Sequence, residues 1–220
     1  MYSISKRFFD ILFSLLIIIF LLPFFIILFP LLRFTGEGYI FYYQKRIGFK
    51  NRPFNIMKFA TMLKDSPNLG SGLITLRNDT RVTPMGGFLR KTKLNELPQI
   101  FNVLKGDMSF VGPRPLVDKT FEPYSDYVRA NIYKVRPGIT GIGSIVFRDE
   151  ERLMTECASD PKVFYNTVIS PYKGELEMWY LKNQSFKTDF LILFLTGWYI
   201  LNSKSKLINT IFSELPSHEF

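Results

Sequence analysis

The sequence predicts a helix-rich α+β domain behind an apolar membrane segment, and three observations carry that prediction. From Ile11 to Leu32 there are 22 residues without one charge, nearly all Leu, Ile and Phe. Behind them, Tyr39 to Tyr43 and Phe54 to Phe59 are aromatic, β-favouring stretches, with Lys50-Asn51-Arg52-Pro53 reading as the turn between them. Farther on, Leu97, Ile100, Phe101 and Leu104 fall at i, i+3, i+4 and i+7, the apolar stripe of a helix.

The apolar run is long enough to cross a bilayer as a helix. A cleaved signal peptide fits it poorly, because the run exceeds the usual apolar region and no small-residue cleavage site follows. Pro23 stands near its middle, where it removes an intrahelical hydrogen bond and crowds the preceding turn, so a kink is expected there. Positive charge flanks both ends, Lys6 and Arg7 before and Arg33, Lys45 and Arg46 after. Cytoplasmic flanks carry the Lys and Arg excess, so this symmetry suits a re-entrant hairpin broken at Pro23, with a bent crossing helix as the other reading. Any break in lipid must satisfy the freed backbone groups, through Ser14 or the soluble part.

Residues 1–35 therefore form the membrane element and 36–220 the soluble domain. No 20- to 50-residue repeat or low-complexity tract divides the latter. In the helix predicted from Glu96, Asn95 suits the N-cap, Pro98 the first turn and Gly106 the C′ position. Further helices are expected around 118–134, 148–158 and 172–200. Phe190 to Ser203 is uncharged but too short to span, and Trp198 and Tyr199 beside Lys204 and Lys206 suit either an interfacial or a core helix.

The net charge of +9 is uneven: residues 36–115 hold 13 Lys and Arg against 5 Asp and Glu, and residues 116–220 hold 12 against 13. Such an excess attracts phosphates, whether of nucleic acid, lipid head groups or a phosphorylated substrate. The lone Cys157 excludes an internal disulfide and reads as a small core residue. One histidine, His218, excludes a histidine-based triad or a multi-histidine metal site.

A helix start offers free N–H groups and the positive end of the macrodipole, a natural phosphate site. Asn95 and Glu96 lie there, preceded by Arg90, Lys91 and Lys93; a cap, a dipole-favoured Glu and a solvated basic face would give the same pattern. Pro113 and Pro115 stiffen the backbone around Arg114, which suits a guanidinium that grips phosphate bidentately, with an internal ion pair as the alternative role.

Asp79-x-Arg81-x-Thr83-x-x-Gly86, Arg90, Asn95-Glu96-Leu97-Pro98-Gln99 and the run Asn102 to Pro115 resemble the bacterial sugar transferases, the monotopic polyprenol-phosphate phosphoglycosyl transferases. The resemblance continues in Lys6-Arg7-x-x-Asp10, Arg46-x-Gly48, Lys58-Phe59-x-Thr61-Met62 and Arg136-Pro137-Gly138-Ile139-Thr140-Gly141. It implies a compact α+β domain on the cytoplasmic face of the bacterial inner membrane, pinned by a re-entrant helix broken at Pro23 and by interfacial amphipathic helices. It also implies Mg²⁺ as cofactor and transfer of a phosphosugar from a UDP-sugar to polyprenyl (undecaprenyl) phosphate. UMP would leave, and the step would begin a surface glycan such as capsule, exopolysaccharide, O-antigen or a glycoprotein glycan. By the same resemblance Arg90, Arg114, Lys58, Asp79, Arg81, Arg136 and Glu177 bind phosphate or line the site, and Glu96 holds Mg²⁺ or assists displacement.

The family's dyad is Asp-Glu, with Asp as the covalent nucleophile, and here Asn95 holds that position. A carboxamide is a very poor nucleophile at neutral pH. Asn95 is then a trap introduced into an active enzyme, a natural variant in which Glu96 or the lipid phosphate attacks, or the mark of lost catalysis; the natural variant is preferred. Ala60 and Gly143-Ser144-Ile145-Val146-Phe147-Arg148 also depart from the family pattern, which leaves the sugar open. A catalytically impaired UDP-sugar or polyprenyl-phosphate binding protein is the competing class. A nucleic-acid-binding protein would explain the basic excess but not Ile11–Leu32, and no zinc-finger, RRM or KH pattern is present.

Overall fold

The computed structural model describes residues 2–35, 37–66, 79–157, 160–202 and 205–217, without the Glu151 side chain; His218 lies outside them. The architecture is helix-rich α+β. Helix α1 (Tyr2–Thr35) is followed by strands β1 (Phe41–Ile47) and β2 (Pro53–Phe59), which pair as a two-stranded sheet. Their connection holds Lys50 and Asn51 at positive φ, so the expected turn is present and Pro53 opens the second strand. Helices α2 (Pro84–Lys91) and α3 (Gln99–Lys105) come next, then β3 (Ser109–Val111), α4 (Asp118–Phe121), α5 (Asp126–Asn131) and β4 (Gly138–Thr140). β3 and β4 pair in parallel, Ser109 opposite Gly138 and Val111 opposite Thr140. The remainder is helical: α6 (Ile142–Val146), α7 (Glu150–Glu156), α8 (Pro161–Phe164), a π segment at Tyr165–Ile169, α9 (Ser170–Lys182), α10 (Phe186–Leu201) and α11 (Leu207–Ile211).

These elements form two compact units. One comprises Ile11–Lys45 and Asn55–Lys105, the other Met1–Asp10, Arg46–Phe54 and Gly106–Phe220. In the first, the second half of α1 buries Phe25, Leu28 and Leu32 against Phe59 of β2 and Leu89 of α2, and the ring of Phe25 stacks on Phe29. Thr83 caps α2, its side chain accepting from Gly86 N–H at 3.0 Å, with Pro84 preset at the first helical position. In the second, Ile142, Ile169, Leu176, Ile192 and Leu195 form a core between α6, α9 and α10, and Leu116, Tyr124, Val128 and Tyr133 form another around α5.

Several expectations are corrected. The helix predicted from Glu96 begins instead at Gln99; Leu94–Glu96 is a separate 3-10 turn entered through Lys93 at φ 60°. Pro98 supplies no N–H, so the helix re-forms only behind it, and Asn95 makes no side-chain cap bond. Gly106 does sit at the C-terminal position, with φ +98°. The stretch 118–134 divides into α4, α5 and a 3-10 turn, and 172–200 divides at Ser185, whose side chain accepts from Thr188 N–H at 3.1 Å and starts α10. Cys157 is half-buried rather than a core residue, its thiol donating to the Met154 carbonyl at 3.1 Å.

Helix α1 runs unbroken through Pro23 and Pro30 and is long and apolar enough to cross a membrane. Phe8, Ile19, Phe20, Ile26 and Ile27 are exposed along it. Helix α10 buries Ile192, Leu195 and Tyr199 in the core and exposes Phe190, Phe194, Trp198 and Leu201.

Candidate functional site

Lys58, Asp79, Arg81, Arg90, Asn95 and Glu96 belong to the first unit, and Arg114, Arg136 and Glu177 to the second. In the first, the pleat of β2 turns Phe59 into the core and leaves its neighbour Lys58 half-buried, where Lys58 Nζ meets Glu96 Oε1 at 2.8 Å. The 3-10 turn that carries Glu96 buries Asn95, and Asn95 Oδ1 has no hydrogen-bond partner among the described residues. A buried oxygen left unsatisfied costs free energy, and Asn95 is one of the described residues that carry one. Just beyond β2, Thr61 Oγ1 accepts from Arg90 Nη1 at 3.4 Å, so β2 and its exit reach both the Lys58–Glu96 pair and Arg90. Asp79 and Arg81 bind each other as a fork, with Arg81 Nε 2.8 Å from Asp79 Oδ1, and Arg81 Nη1 donates to the Ser66 carbonyl at 2.6 Å. That fork braces the chain around Ser66.

In the second unit the parallel β3–β4 pair continues past its strands: Gly112 N–H donates to the Thr140 carbonyl at 3.0 Å and Gly138 N–H to the Pro113 carbonyl at 2.8 Å. The backbone of Arg114 is held on both sides, its carbonyl accepting from Tyr133 OH at 2.8 Å and its N–H donating to Glu177. Its side chain is exposed, and its charge acts on Lys173 and Tyr165. Arg136 donates through Nε to the Gly106 carbonyl at 2.8 Å and lies over the Phe49 ring at 5.0 Å.

Glu177 is buried on α9, and its Oε2 has no partner among the described residues. Burial pushes its carboxyl up to about 7, against the opposing pull of the Arg114 N–H and the Lys173 charge. A β-carbon on Gly143 would lie 2.5 Å from Glu177 Oε1, so any larger residue there would displace the Glu177 carboxyl. Lys173, one turn before Glu177, binds Glu150 Oε2 at 2.7 Å, and burial depresses its ammonium. The reading of the sequence did not single out Lys173 or Glu150. Lys173 and Glu177 at i and i+4 on one helix were the available signal.

A family described as Bacterial sugar transferase matches residues 1–203. Among similar proteins, the exopolysaccharide production protein ExoY of Sinorhizobium fredii is 34% identical over 209 residues, covering 88% of this chain and 84% of the relative. The undecaprenyl-phosphate galactose phosphotransferase of Salmonella typhimurium is 35% identical over 210 residues, 89% of this chain and 40% of the relative. The UDP-glucose:undecaprenyl-phosphate glucose-1-phosphate transferase of Klebsiella pneumoniae is 34% identical over 196 residues, 88% of this chain and 39% of the relative. The chain thus spans well under half the length of the latter two.

Glu177 has a pH signature. Its folded pKa is raised from 4.5 to about 7, so its contribution to stability is fully present below about 4.5 and lost as pH rises through about 7. The penalty at neutral pH is on the order of a few kcal/mol. Glu177→Gln removes the ionisation and should raise the melting temperature at pH 8 while leaving it nearly unchanged at pH 4.5. A variant whose melting temperature falls equally at both pH values would show that the carboxylate is not strained by burial.

Proposed function

The chain belongs to the bacterial sugar transferase family, and from that premise we propose that it moves a phosphosugar from a UDP-sugar onto polyprenyl phosphate at the cytoplasmic face of the bacterial inner membrane, releasing UMP. The observation that carries this reading is the grouping, at the family's motif positions, of Lys58, Glu96, Arg90 and the buried Asn95 within one unit. The names of the Salmonella and Klebsiella relatives supply undecaprenyl phosphate as acceptor, and the Klebsiella name supplies the UDP-sugar. ExoY's name supplies exopolysaccharide assembly as the setting.

The chemistry follows from what each side chain can do. Lys58 and Arg90 are cations suited to the donor's diphosphate, and Arg114 is a planar fork suited to phosphate oxygens. A lipid-phosphate oxygen attacks the sugar-proximal phosphorus, a new P–O bond forms, the bond to the UMP oxygen breaks, and UMP leaves with that electron pair. Asn95 forms no ester in this route. Its unpartnered Oδ1 and the Glu96 carboxylate fit the small protein share that Mg²⁺ takes when substrate phosphates supply its other oxygens. When bound, Mg²⁺ supplies charge neutralisation at the diphosphate. Asn95 also supports a second reading, a UDP-sugar or polyprenyl-phosphate binding protein without turnover, because it replaces the family's nucleophile.

Turnover of three forms separates these readings. Glu96→Gln should lower UMP release by at least about a hundredfold, the loss typical of one removed catalytic group. Asn95→Asp should give no gain, because the site is built around the amide. A large gain in Asn95→Asp would instead identify a disabled double-displacement enzyme.

The re-entrant course of α1 is part of the same proposal. Before the apolar run, Lys6 and Asp10 bind residues of the soluble elements, Asp189 and Ser109; after Pro23, Phe25, Leu28 and Leu32 pack on Phe59 and Leu89. Both arms of the helix therefore touch soluble elements. A cysteine introduced at Ser3 should resist a membrane-impermeant thiol reagent added to intact cells and react after lysis. Labelling from outside would establish a crossing helix.

A further inference from the structure

Asn102 of α3 is 5% exposed, and its side chain is directed at the backbone of β2: Oδ1 accepts from Met57 N–H at 2.9 Å and Nδ2 donates to the Asn55 carbonyl at 2.8 Å. Residues two apart in a strand turn their peptide groups to the same edge. β2 pairs with β1 along one edge, and among the described residues no third strand joins that sheet. One carboxamide thus serves the edge at Asn55 and Met57 as a neighbouring strand would. The contact demands an amide. Met57 offers a donor and Asn55 an acceptor, and a carboxylate, acceptor-only when ionised, answers the first and opposes the second.

This bridge lies beside both members of the Lys58–Glu96 pair, and all of these residues belong to one unit. On the strand side, Lys58 follows Met57 directly, and the buried ring of Phe59 fixes the next position. On the helix side, Leu97 N–H donates to the Leu94 carbonyl at 3.1 Å, Ile100 N–H to the Leu97 carbonyl at 3.1 Å and Phe101 N–H to the Pro98 carbonyl at 3.0 Å. Overlapping turns therefore join the Glu96 segment to the helix that carries Asn102, and a displacement of α3 along β2 moves Glu96 relative to Lys58. Lys and Glu side chains are long and lose rotamer freedom when paired. A fixed backbone separation lets one geometry, with Lys58 Nζ 2.8 Å from Glu96 Oε1, prevail over the others.

We propose that Asn102 is a positioning residue of the transfer site, holding Lys58 against Glu96 through the backbone of β2. That role rests on the reading in which Lys58 and Glu96 serve the donor's diphosphate. Asn102→Asp keeps the size and shape of the side chain but loses its donor; Asn102→Ser is uncharged and too short to span both backbone groups. Full-length protein in neutral detergent is labelled with acetic anhydride, and the acetylation rate of each lysine is followed by peptide mass spectrometry. Lys58 should be acetylated several-fold faster in both variants than in the parent. Lys173, buried against Glu150 in the other unit, should keep its rate. The kcat/KM for UMP release should fall at least about tenfold, because small misplacements of reacting groups are costly. In a Lys58→Gln background Asn102→Asp should cost little more, since residues that act through one another are not additive. Labelling needs no turnover, so it decides the placement of Lys58 even for a chain that releases no UMP, a result that would sink the transfer reading alone. Unchanged Lys58 labelling, equal gains at Lys58 and Lys173, additive losses in the double variant, or failure of both variants to fold would overturn the proposal.

Discussion

An apolar helix headed by charged residues can be seated on a folded domain only if those charges are met, and Asp189 meets that of Lys6. It takes Lys6 as an ion pair, the Tyr2 hydroxyl at 2.7 Å and the Tyr180 hydroxyl at 2.8 Å. The pair is largely withdrawn from water, with side-chain exposures of 17% and 12%, so removing either partner would strand the other charge. Tyr180 belongs to α9 and Asp189 to α10, which ties the head of α1 to both helices. One turn further along α1, Asp10 takes Ser109 and the Phe110 N–H at the start of β3. From β3 the chain passes directly to Gly112, Pro113 and Arg114, whose backbone Glu177 and Tyr133 then hold. Membrane attachment and the placement of Arg114 are thus successive links of one hydrogen-bonded path.

The two glutamates singled out show how surroundings divide one side-chain chemistry into two uses. Glu96 sits half-buried against Lys58, its Oε1 2.8 Å from Nζ, and offers carboxyl oxygens to a ligand. Glu177 sits fully enclosed, near neutrality in its proton balance, and serves the backbone of Arg114. Asn95 belongs with neither: it is uncharged, buried, and leaves its oxygen unpartnered, which suits coordination or hydrogen bonding to a ligand better than attack on phosphorus.

Much of this was legible in the sequence because it depends on local pattern. The uncharged run, the aromatic strands, the proline-flanked Arg114 and the helix ending at Gly106 each follow from residue type and spacing over a few positions. The start of α3 was misplaced because the apolar stripe from Leu97 is continuous while the backbone is not: Lys93 adopts a left-handed conformation and Pro98 lacks a donor. Spacing cannot register either fact. The burial of Asn95, the Glu177–Arg114 contact and the bridge from Asn102 to β2 join residues far apart in the chain. The interleaving of segments that brings Met1–Asp10 and Arg46–Phe54 into a unit with Gly106–Phe220 is not encoded in any short window.

The central claim is transfer chemistry with an amide at position 95. The most direct measurement is UMP formation by the purified, unmodified chain across a panel of UDP-sugars, with and without polyprenyl phosphate, paired with intact-mass spectrometry of the protein after UDP-sugar alone. The account predicts UMP release for at least one sugar, dependent on polyprenyl phosphate, and no covalent phosphosugar on the protein. UDP-sugar binding without UMP release under any of these conditions, or a phosphosugar adduct on Asn95, would contradict it.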